Sequence, residues 1–254
     1  MNEKTRKLGK LPPRMDRRTL KMSEYLTPSL IPPPPSVYWS KGLPKFGMML
    51  NDILGDCTIA AIGHAIQVWK LNLGRNVNLA KITPPDSAIL ATYEEFCGYV
   101  DGDPSTDNGG AEIDVLNDWR KIGMAGDKLL AYADPNPNVQ LHVQQAIYLF
   151  GGCYIGFNVP QSAMDQNAAG QPWTVVADDG GILGGHAVFV PDYTPEGLWC
   201  ITWGERQFMT WAFWDTYCDE SHALLSPDWI NSKNMDPSGI DLAQLQTDLE
   251  GVVS

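Results

Sequence analysis

Apolar residues recur at three- and four-residue spacing in the first part of the chain, and this pattern predicts helices. The predicted helices cover residues 57–73, 85–99, 112–122 and 139–149. Asp56 and Gly74 are residue types that begin and end helices, and they flank the first predicted helix. The sequence therefore predicts a helical region before residue 150.

Beyond residue 150, β-branched and aromatic runs bounded by Gly, Pro and Asp predict strands. The runs cover residues 153–159, 173–176, 186–190 and 198–203, followed by a helix over 209–217, a short strand over 221–225 and an amphipathic helix over 240–249. Helices come first and an antiparallel sheet second, so the predicted fold class is α+β.

Charge and proline divide the chain into three predicted regions. Residues 1–21 carry eight basic and two acidic side chains, net +6, which leaves −18 on the rest of a chain of net charge −12. The run Pro32–Pro35 favours an extended conformation. We predict a basic, proline-rich arm over 1–45, a domain over 46–230 and a tail with a short helix over 231–254. The arm is expected to contact a protein partner or the acidic body itself.

Composition limits the function classes further. The chain has 254 residues and 44% hydrophobic residues, enough for one large domain or two small ones. Its charged first ten residues and the absence of a long apolar stretch predict neither a secretory signal nor a membrane span. Five cysteines, an odd number, indicate thiols in a reducing compartment. We therefore expect a cytoplasmic protein, or a virion protein if the chain is phage-encoded, and the net charge of −12 argues against nucleic-acid binding.

Two residues have the pattern of a thiol nucleophile and its base. Cys57 stands at the predicted start of a helix, whose positive end favours a thiolate. His186 begins a predicted strand within Gly184-Gly185-His186. A thiolate nucleophile needs a base within hydrogen-bonding distance, and a strand-borne histidine facing a helix-borne cysteine would supply one.

The order of these features resembles the papain-like cysteine peptidases, from about residue 45 to residue 205. The resemblance implies a helical lobe that carries Cys57 and an antiparallel β lobe that carries His186. It also implies that Asn51 takes the place of an oxyanion-hole glutamine, that Asn108-Gly109-Gly110 lines the substrate cleft and that Trp203 shields the histidine. Gly-Asp-Cys, Ile-Thr-Trp-Gly and Tyr-Cys-Asp-Glu are similar to motifs of bacterial and phage-encoded papain-fold proteins.

The sequence departs from the family at the residue that orients the histidine. The asparagine of the family's pattern is replaced by Ile201, which cannot accept a hydrogen bond from an imidazole. Thr202 and Asp192 are the candidate substitutes, although strand alternation argues against Thr202, because it would face away from Trp203. A charged Asp56 beside the thiol would oppose thiolate formation.

Other local patterns point to different chemistry. Asp101, Asp103, Ser105, Asp107 and Glu112 match positions of a calcium-binding loop, but Thr106 replaces its required glycine. The remaining histidines lack companions at metal-ligand spacing, so no metal and no cofactor is predicted. The tryptophans between residues 199 and 214 are expected to pack in a core, with a carbohydrate-stacking surface as the alternative.

Two hypotheses follow. The first is a papain-like cysteine hydrolase that acts on a peptide or protein substrate. The second is a catalytically degenerate papain-fold structural or interaction protein, such as a phage virion component that docks through its N-terminal arm. The missing asparagine favours the second hypothesis, and the placement of Cys57 and His186 favours the first.

Overall fold

The structure is a computed structural model. It describes residues 6–14, 19–27, 32–43, 45–73, 78, 81–233, 241, 243–245 and 247–248. The predicted helix stop at Gly74 and four positions of the predicted helix over 240–249 (240, 242, 246 and 249) lie outside the described residues. No helix among these residues is long and apolar enough to cross a membrane.

Seven α-helices are defined in the described part of the chain. They are α1 (Cys57–Leu71), α2 (Asp86–Cys97), α3 (Glu112–Lys121), α4 (Gln140–Phe150), α5 (Gln161–Ala168), α6 (Trp211–Tyr217) and α7 (Pro227–Lys233). Every residue of α1 from Cys57 to Trp69 is buried, because the helix packs against the sheet on one side and other helices on the other. The helix ends where the Asn72 side chain donates to the backbone oxygens of Val68 and Trp39.

The strands form one antiparallel sheet. They are β1 (Val37–Tyr38), β2 (Ala131–Ala133), β3 (Cys153–Pro160), β4 (Ile182–Thr194), β5 (Gly197–Thr202), β6 (Glu205–Thr210) and β7 (Cys218–Leu225). Their order is β2-β7-β3-β4-β5-β6, with β1 paired to β4. The predicted α+β class is confirmed, and the sheet presents the middle of β4 to the start of α1.

One predicted strand is wrong. In residues 173–176 only Trp173 makes a bridge to the sheet, through Met209. The side-chain amide of Gln166, on α5, bonds the backbone N–H and C=O of Thr174, the groups that a strand would pair with its neighbour. Strands β1, β2 and β6 and helices α5 and α7 were not predicted. The predicted helix over 209–217 begins at Trp211, because Thr210 accepts a hydrogen bond from the Phe213 amide.

Candidate active site

Cys57 is the first residue of α1, and its side chain is completely buried. Its sulfur accepts a hydrogen bond from the backbone N–H of Ala187, at 3.4 Å. Ala187 follows His186 in β4, so the structure brings the start of α1 to the position on the sheet that carries the histidine. Two residues 129 positions apart in the sequence therefore share one site.

His186 is fully buried and held on two sides by aromatic rings. Its imidazole stacks on Trp203 with ring centroids 4.4 Å apart and planes at 15°. It also makes an edge-to-face contact with Phe157, with ring centroids 5.8 Å apart. Its Nε2 lies 2.6 Å from Oγ1 of Thr202. Nδ1 has no hydrogen-bond partner among the described residues. One ring nitrogen is thus engaged, and the other is available for a proton.

The partner of His186 is Thr202, which strand alternation argued against. Alternation does not hold here because Trp203 has left the strand, with a φ of 44° in the turn between β5 and β6. Thr202 and Trp203 therefore both contact the imidazole. Asp192, the other candidate, is used elsewhere, since its carboxylate accepts from Ser40 and pairs with Arg206.

The loop before Cys57 is held by internal hydrogen bonds. The Asn51 side-chain amide donates to the Leu54 carbonyl and to the Asp56 carboxyl, both at 3.2 Å. Burial raises the pKa of Asp56 well above its ordinary value, which favours the neutral acid. A neutral Asp56 removes the charge that the sequence placed beside the thiol. Both donor hydrogens of Asn51 are engaged within this loop.

Asp107 supports the site from the opposite wall of the cleft, a role that sequence reasoning missed. Its Oδ1 accepts from the Gly55 backbone N–H at 2.9 Å and from the Tyr93 hydroxyl at 2.7 Å. The Tyr93 oxygen in turn accepts from the Gly109 amide at 2.9 Å. This chain of bonds joins the loop before Cys57 to the Asn108-Gly109-Gly110 turn. The Asn108 side chain itself is directed into its own loop, where it donates to the Ser105 carbonyl.

The calcium-loop pattern does not converge in space. Asp103 is exposed and accepts from Ser105, Asp107 bonds Gly55, and Glu112 is buried beside His222 at 3.3 Å. A different group could hold a metal ion, since ligand atoms of Glu112, Glu220 and His222 lie within 4.8 Å of one another. The side chain of Lys10 stands beside this group. Its cationic end is therefore the charge that these acidic groups face in this structure.

Residues 6–14, called here the cleft segment, run between the two walls of the site. The Gly110 amide donates to the Gly9 carbonyl at 2.9 Å, and the Leu11 amide donates to the Gly110 carbonyl at 3.0 Å. On the other wall, the Gly9 and Lys10 amides both donate to the Gly185 carbonyl. The segment therefore bridges the turn before α3 and the residue that precedes His186.

The N-terminal end of the cleft segment is also fixed near the candidate catalytic residues. The Lys7 amide donates to the Asn51 carbonyl at 3.0 Å, and the Lys7 carbonyl accepts from Nε1 of Trp203 at 3.2 Å. Glycine is required where backbones meet most closely, because a Cβ at Gly9 would overlap the Gly55 carbonyl and a Cβ at Gly109 would overlap the Gly9 carbonyl. The backbone of the cleft segment at Gly9 therefore fits closely against the backbones of Gly55 and Gly109.

The enclosed site holds its two central groups in neutral forms. Burial raises the pKa of the Cys57 thiol to about 12, although the amides of Ala187 and Gly9 act to lower it. Burial lowers the pKa of His186 to about 3. At neutral pH the site with the cleft segment in place therefore contains a thiol and an uncharged imidazole. The backbone group of the segment at the sulfur is the Gly9 N–H, which is not an electrophile.

Comparison with known proteins identifies the fold. No protein-family model and no curated protein matches this sequence. Xylellain, a cysteine protease from Xylella fastidiosa, superposes with a TM-score of 0.66 and 16% identity over 89% of this chain and 98% of its own. Procathepsin B S9 from Trypanosoma congolense superposes with a TM-score of 0.50 and 12% identity over 89% and 84% of the two chains. The chain has the fold of papain-like cysteine proteases, as the resemblance implied.

Proposed function

We propose that this chain is a papain-like cysteine peptidase with Cys57 as nucleophile and His186 as base. The observation that carries the proposal is the junction of α1 and β4, where the Cys57 sulfur bonds the residue after His186. In this proposal His186 Nε2 donates to the Thr202 hydroxyl 2.6 Å away, which leaves Nδ1 as the basic nitrogen. Thr202 then does the orienting work for which the family's pattern uses an asparagine.

The proposed reaction is acyl transfer to sulfur followed by hydrolysis. Nδ1 of His186 takes the thiol proton while Sγ of Cys57 attacks the peptide carbonyl carbon. The carbonyl oxygen becomes an oxyanion that the Cys57 backbone amide stabilises, together with Asn51 once its amide turns from Asp56. Collapse breaks the C–N bond, and the leaving amine takes the proton from His186. Water, deprotonated by His186, then cleaves the thioester and restores the thiol.

In this proposal the cleft segment keeps the enzyme inactive. It occupies both walls that would bind an extended substrate, Gly110 and Gly185, and its presence excludes water from the thiol. Displacement of the segment would hydrate Cys57 and His186 and remove the desolvation that disfavours their charged forms. An open cavity of about 490 Å³ lies between Trp203 and the residues Phe46 and Met48. Displacement of the segment would extend this cavity into a groove that leads to the active site.

The second candidate function is a structural module with a permanently closed site. The observation that favours it is the same set of backbone bonds, since a segment bonded on both walls can also serve as a fixed strand. In that case the protein would act through the remainder of its N-terminal arm on an assembly partner. Deletion of residues 1–40 should then abolish assembly.

Labelling with an irreversible peptidyl electrophile distinguishes the two functions. We expect it to modify Cys57 in full-length protein carrying Gly9→Ala, which expels the segment through its overlap with the Gly55 carbonyl. Adding Cys57→Ser or His186→Ala should abolish labelling, and Cys153→Ser, which removes another buried thiol, should not. Equal labelling of all cysteines, or labelling that survives His186→Ala, would refute the peptidase.

A further inference from the structure

The side chain of Lys10 enters a pocket beside the candidate active site. Its neighbours in the cleft segment, Lys7 and Arg14, are exposed, whereas only 1% of the Lys10 side chain is accessible. Its backbone lies between Gly110 and Gly185, the two walls that hold the segment. The Gly9 amide faces the Cys57 thiol. The Lys10 side chain therefore leaves the cleft one residue after the residue that contacts the thiol.

The pocket is acidic and is fitted to an aliphatic stem with a cationic end. Nζ of Lys10 lies 3.0 Å from Asp219 and 3.1 Å from Glu220, at the start of β7. Gly156 of β3 forms one wall, where a Cβ would overlap Cε of Lys10 and crowd Oε1 of Glu112. The absence of a side chain at residue 156 provides the space through which the lysine reaches the carboxylates.

The acidic groups of the pocket favour a cation. Glu112 is buried, and neither of its carboxyl oxygens has a hydrogen-bond partner among the described residues, although Nε2 of His222 lies 3.3 Å away. Burial alone would lower the pKa of Lys10, but Glu112, Glu220 and Asp219 outweigh it and raise that pKa. If Lys10 left, Asp219 and Glu220 would lose the ammonium that lies within 3.1 Å of them, and His222 would be the remaining cationic partner of Glu112. Removing one partner from such a cluster is costly.

We infer that this pocket is a specificity site for a lysine side chain of a polypeptide substrate. The lysine would occupy the residue adjacent to the one that carries the scissile carbonyl, because Lys10 adjoins the residue at the Cys57 sulfur. An open cavity of about 330 Å³ bordered by Ile113, Pro135 and Glu220 continues from the pocket and leaves room for the next substrate residue. This inference rests on the proposed peptidase function.

Peptide binding tests the pocket without requiring catalysis. The probe is a fluorescent synthetic peptide of residues 6–14, with lysine, norleucine or glutamate at the position of Lys10. It is titrated into full-length protein carrying Lys10→Ala, which empties the pocket and leaves its walls unchanged, and into the Gly9→Ala protein as a second opened form. We expect the lysine peptide to bind at least about 30-fold more tightly than the norleucine peptide. Glu220→Gln should remove most of this preference, and Asp215→Asn, an equal charge change at an exposed position of α6, should preserve it.

Turnover of matched substrates separates failure of the inference from failure of the proposed function. The substrates carry lysine or norleucine beside the scissile residue, and kcat/KM is measured on the same opened proteins. A preference for lysine in both assays supports the inference. Equal binding of the lysine and norleucine peptides, or hydrolysis without a lysine preference, overturns the inference and leaves the peptidase standing. Selective lysine binding without hydrolysis or Cys57 labelling refutes the peptidase and leaves a lysine-binding site.

Discussion

The cleft segment covers two buried clusters that respond to burial in opposite ways. At Cys57 and His186, burial meets no compensating charge, so both groups are held in neutral forms. At Lys10, burial is outweighed by Asp219, Glu220 and Glu112, so the ammonium keeps its charge. Burial alone therefore does not determine ionisation, because the partners buried with a group decide the outcome. In this proposal the acidic cluster around Lys10 holds the segment in place, and the segment keeps Cys57 and His186 neutral and inactive.

The largest difference between the clusters should appear in catalysis. In the Gly9→Ala protein, adding His186→Ala should reduce kcat/KM for peptide hydrolysis by about 10³-fold or more, because the base is lost. Adding His222→Gln should change hydrolysis of a norleucine substrate by only a few fold, since His222 lies in the lysine pocket. Comparable losses in the two variants would show that the clusters are not functionally distinct.

Loss of the imidazole's partner should have a smaller effect. Thr202→Val removes the oxygen at 2.6 Å from Nε2 of His186 and should reduce kcat by about 10- to 100-fold in the opened protein. The acidic limb of the pH–rate profile should move at the same time, because the hydrogen bond influences the basicity of the ring. Thr202→Ser keeps the hydroxyl and should restore both the rate and the profile. If Thr202 had only a structural role, Thr202→Val would lower the free energy of unfolding without shifting the pH–rate profile.

The pH dependence of stability should distinguish the two buried histidines. The pKa of His186 is lowered to about 3 by burial, so the unfolded state binds its proton first as pH falls below about 6.5, and folding loses stability. For His222, Asp134 and Glu112 outweigh burial and raise the pKa, so its contribution is present below about pH 6.5 and is lost as pH rises through the raised value.

Denaturant titration between about pH 9 and pH 4.5 measures this difference, because it covers the ranges in which both histidines change the free energy of unfolding. His186→Gln should remove an acid-side loss of about 2 kcal/mol in the free energy of unfolding. His222→Gln should change the profile in the opposite direction by removing stability that is greatest at acidic pH. Parallel profiles for the two variants would contradict the assignment of opposite environments.

The smallest effect should come from the rim of the lysine pocket. Arg14 pairs with Asp114, and both side chains are about half exposed. Solvent screening makes such a pair weak, so Arg14→Ala should change the rate of Cys57 labelling in the full-length protein by less than about twofold. Lys10→Ala should accelerate labelling strongly. If Arg14→Ala accelerated labelling as much as Lys10→Ala, exposed contacts rather than the buried Lys10 contacts would hold the segment in the cleft.

Local pattern predicted α1, α3 and α4 well because their buried faces are apolar, but it missed α5 and α7. The predicted and observed starts of α1 coincide at Cys57, and α3 and α4 agree within one residue at each end. The strand predicted at 173–176 failed because Gln166 takes the Thr174 backbone groups, a contact that periodicity does not encode. Thr202 was disfavoured because alternation assumes that Trp203 remains in the strand, which its φ of 44° contradicts.

The site residues that the sequence missed depend on distant contacts. Asp107 was read as part of a calcium loop, yet its partner Gly55 lies 52 positions away. Lys10 was one charge of a basic arm, and its partner Asp219 lies 209 positions away. The only available signal was charge complementarity between residues 1–21, with a net charge of +6, and the rest of the chain, with −18. That balance predicts attraction but does not identify which lysine is buried.

In the proposed function, the cleft segment keeps Cys57 protonated by burying it. The rate of Cys57 alkylation by iodoacetamide, followed by peptide mapping as a function of pH, measures the thiol's titration directly. We predict no titration of Cys57 below about pH 11 in the unaltered protein and a midpoint below about 8.5 in the Gly9→Ala protein, where His186 and the start of α1 can stabilise a thiolate. The same titration curve in both proteins would contradict the account.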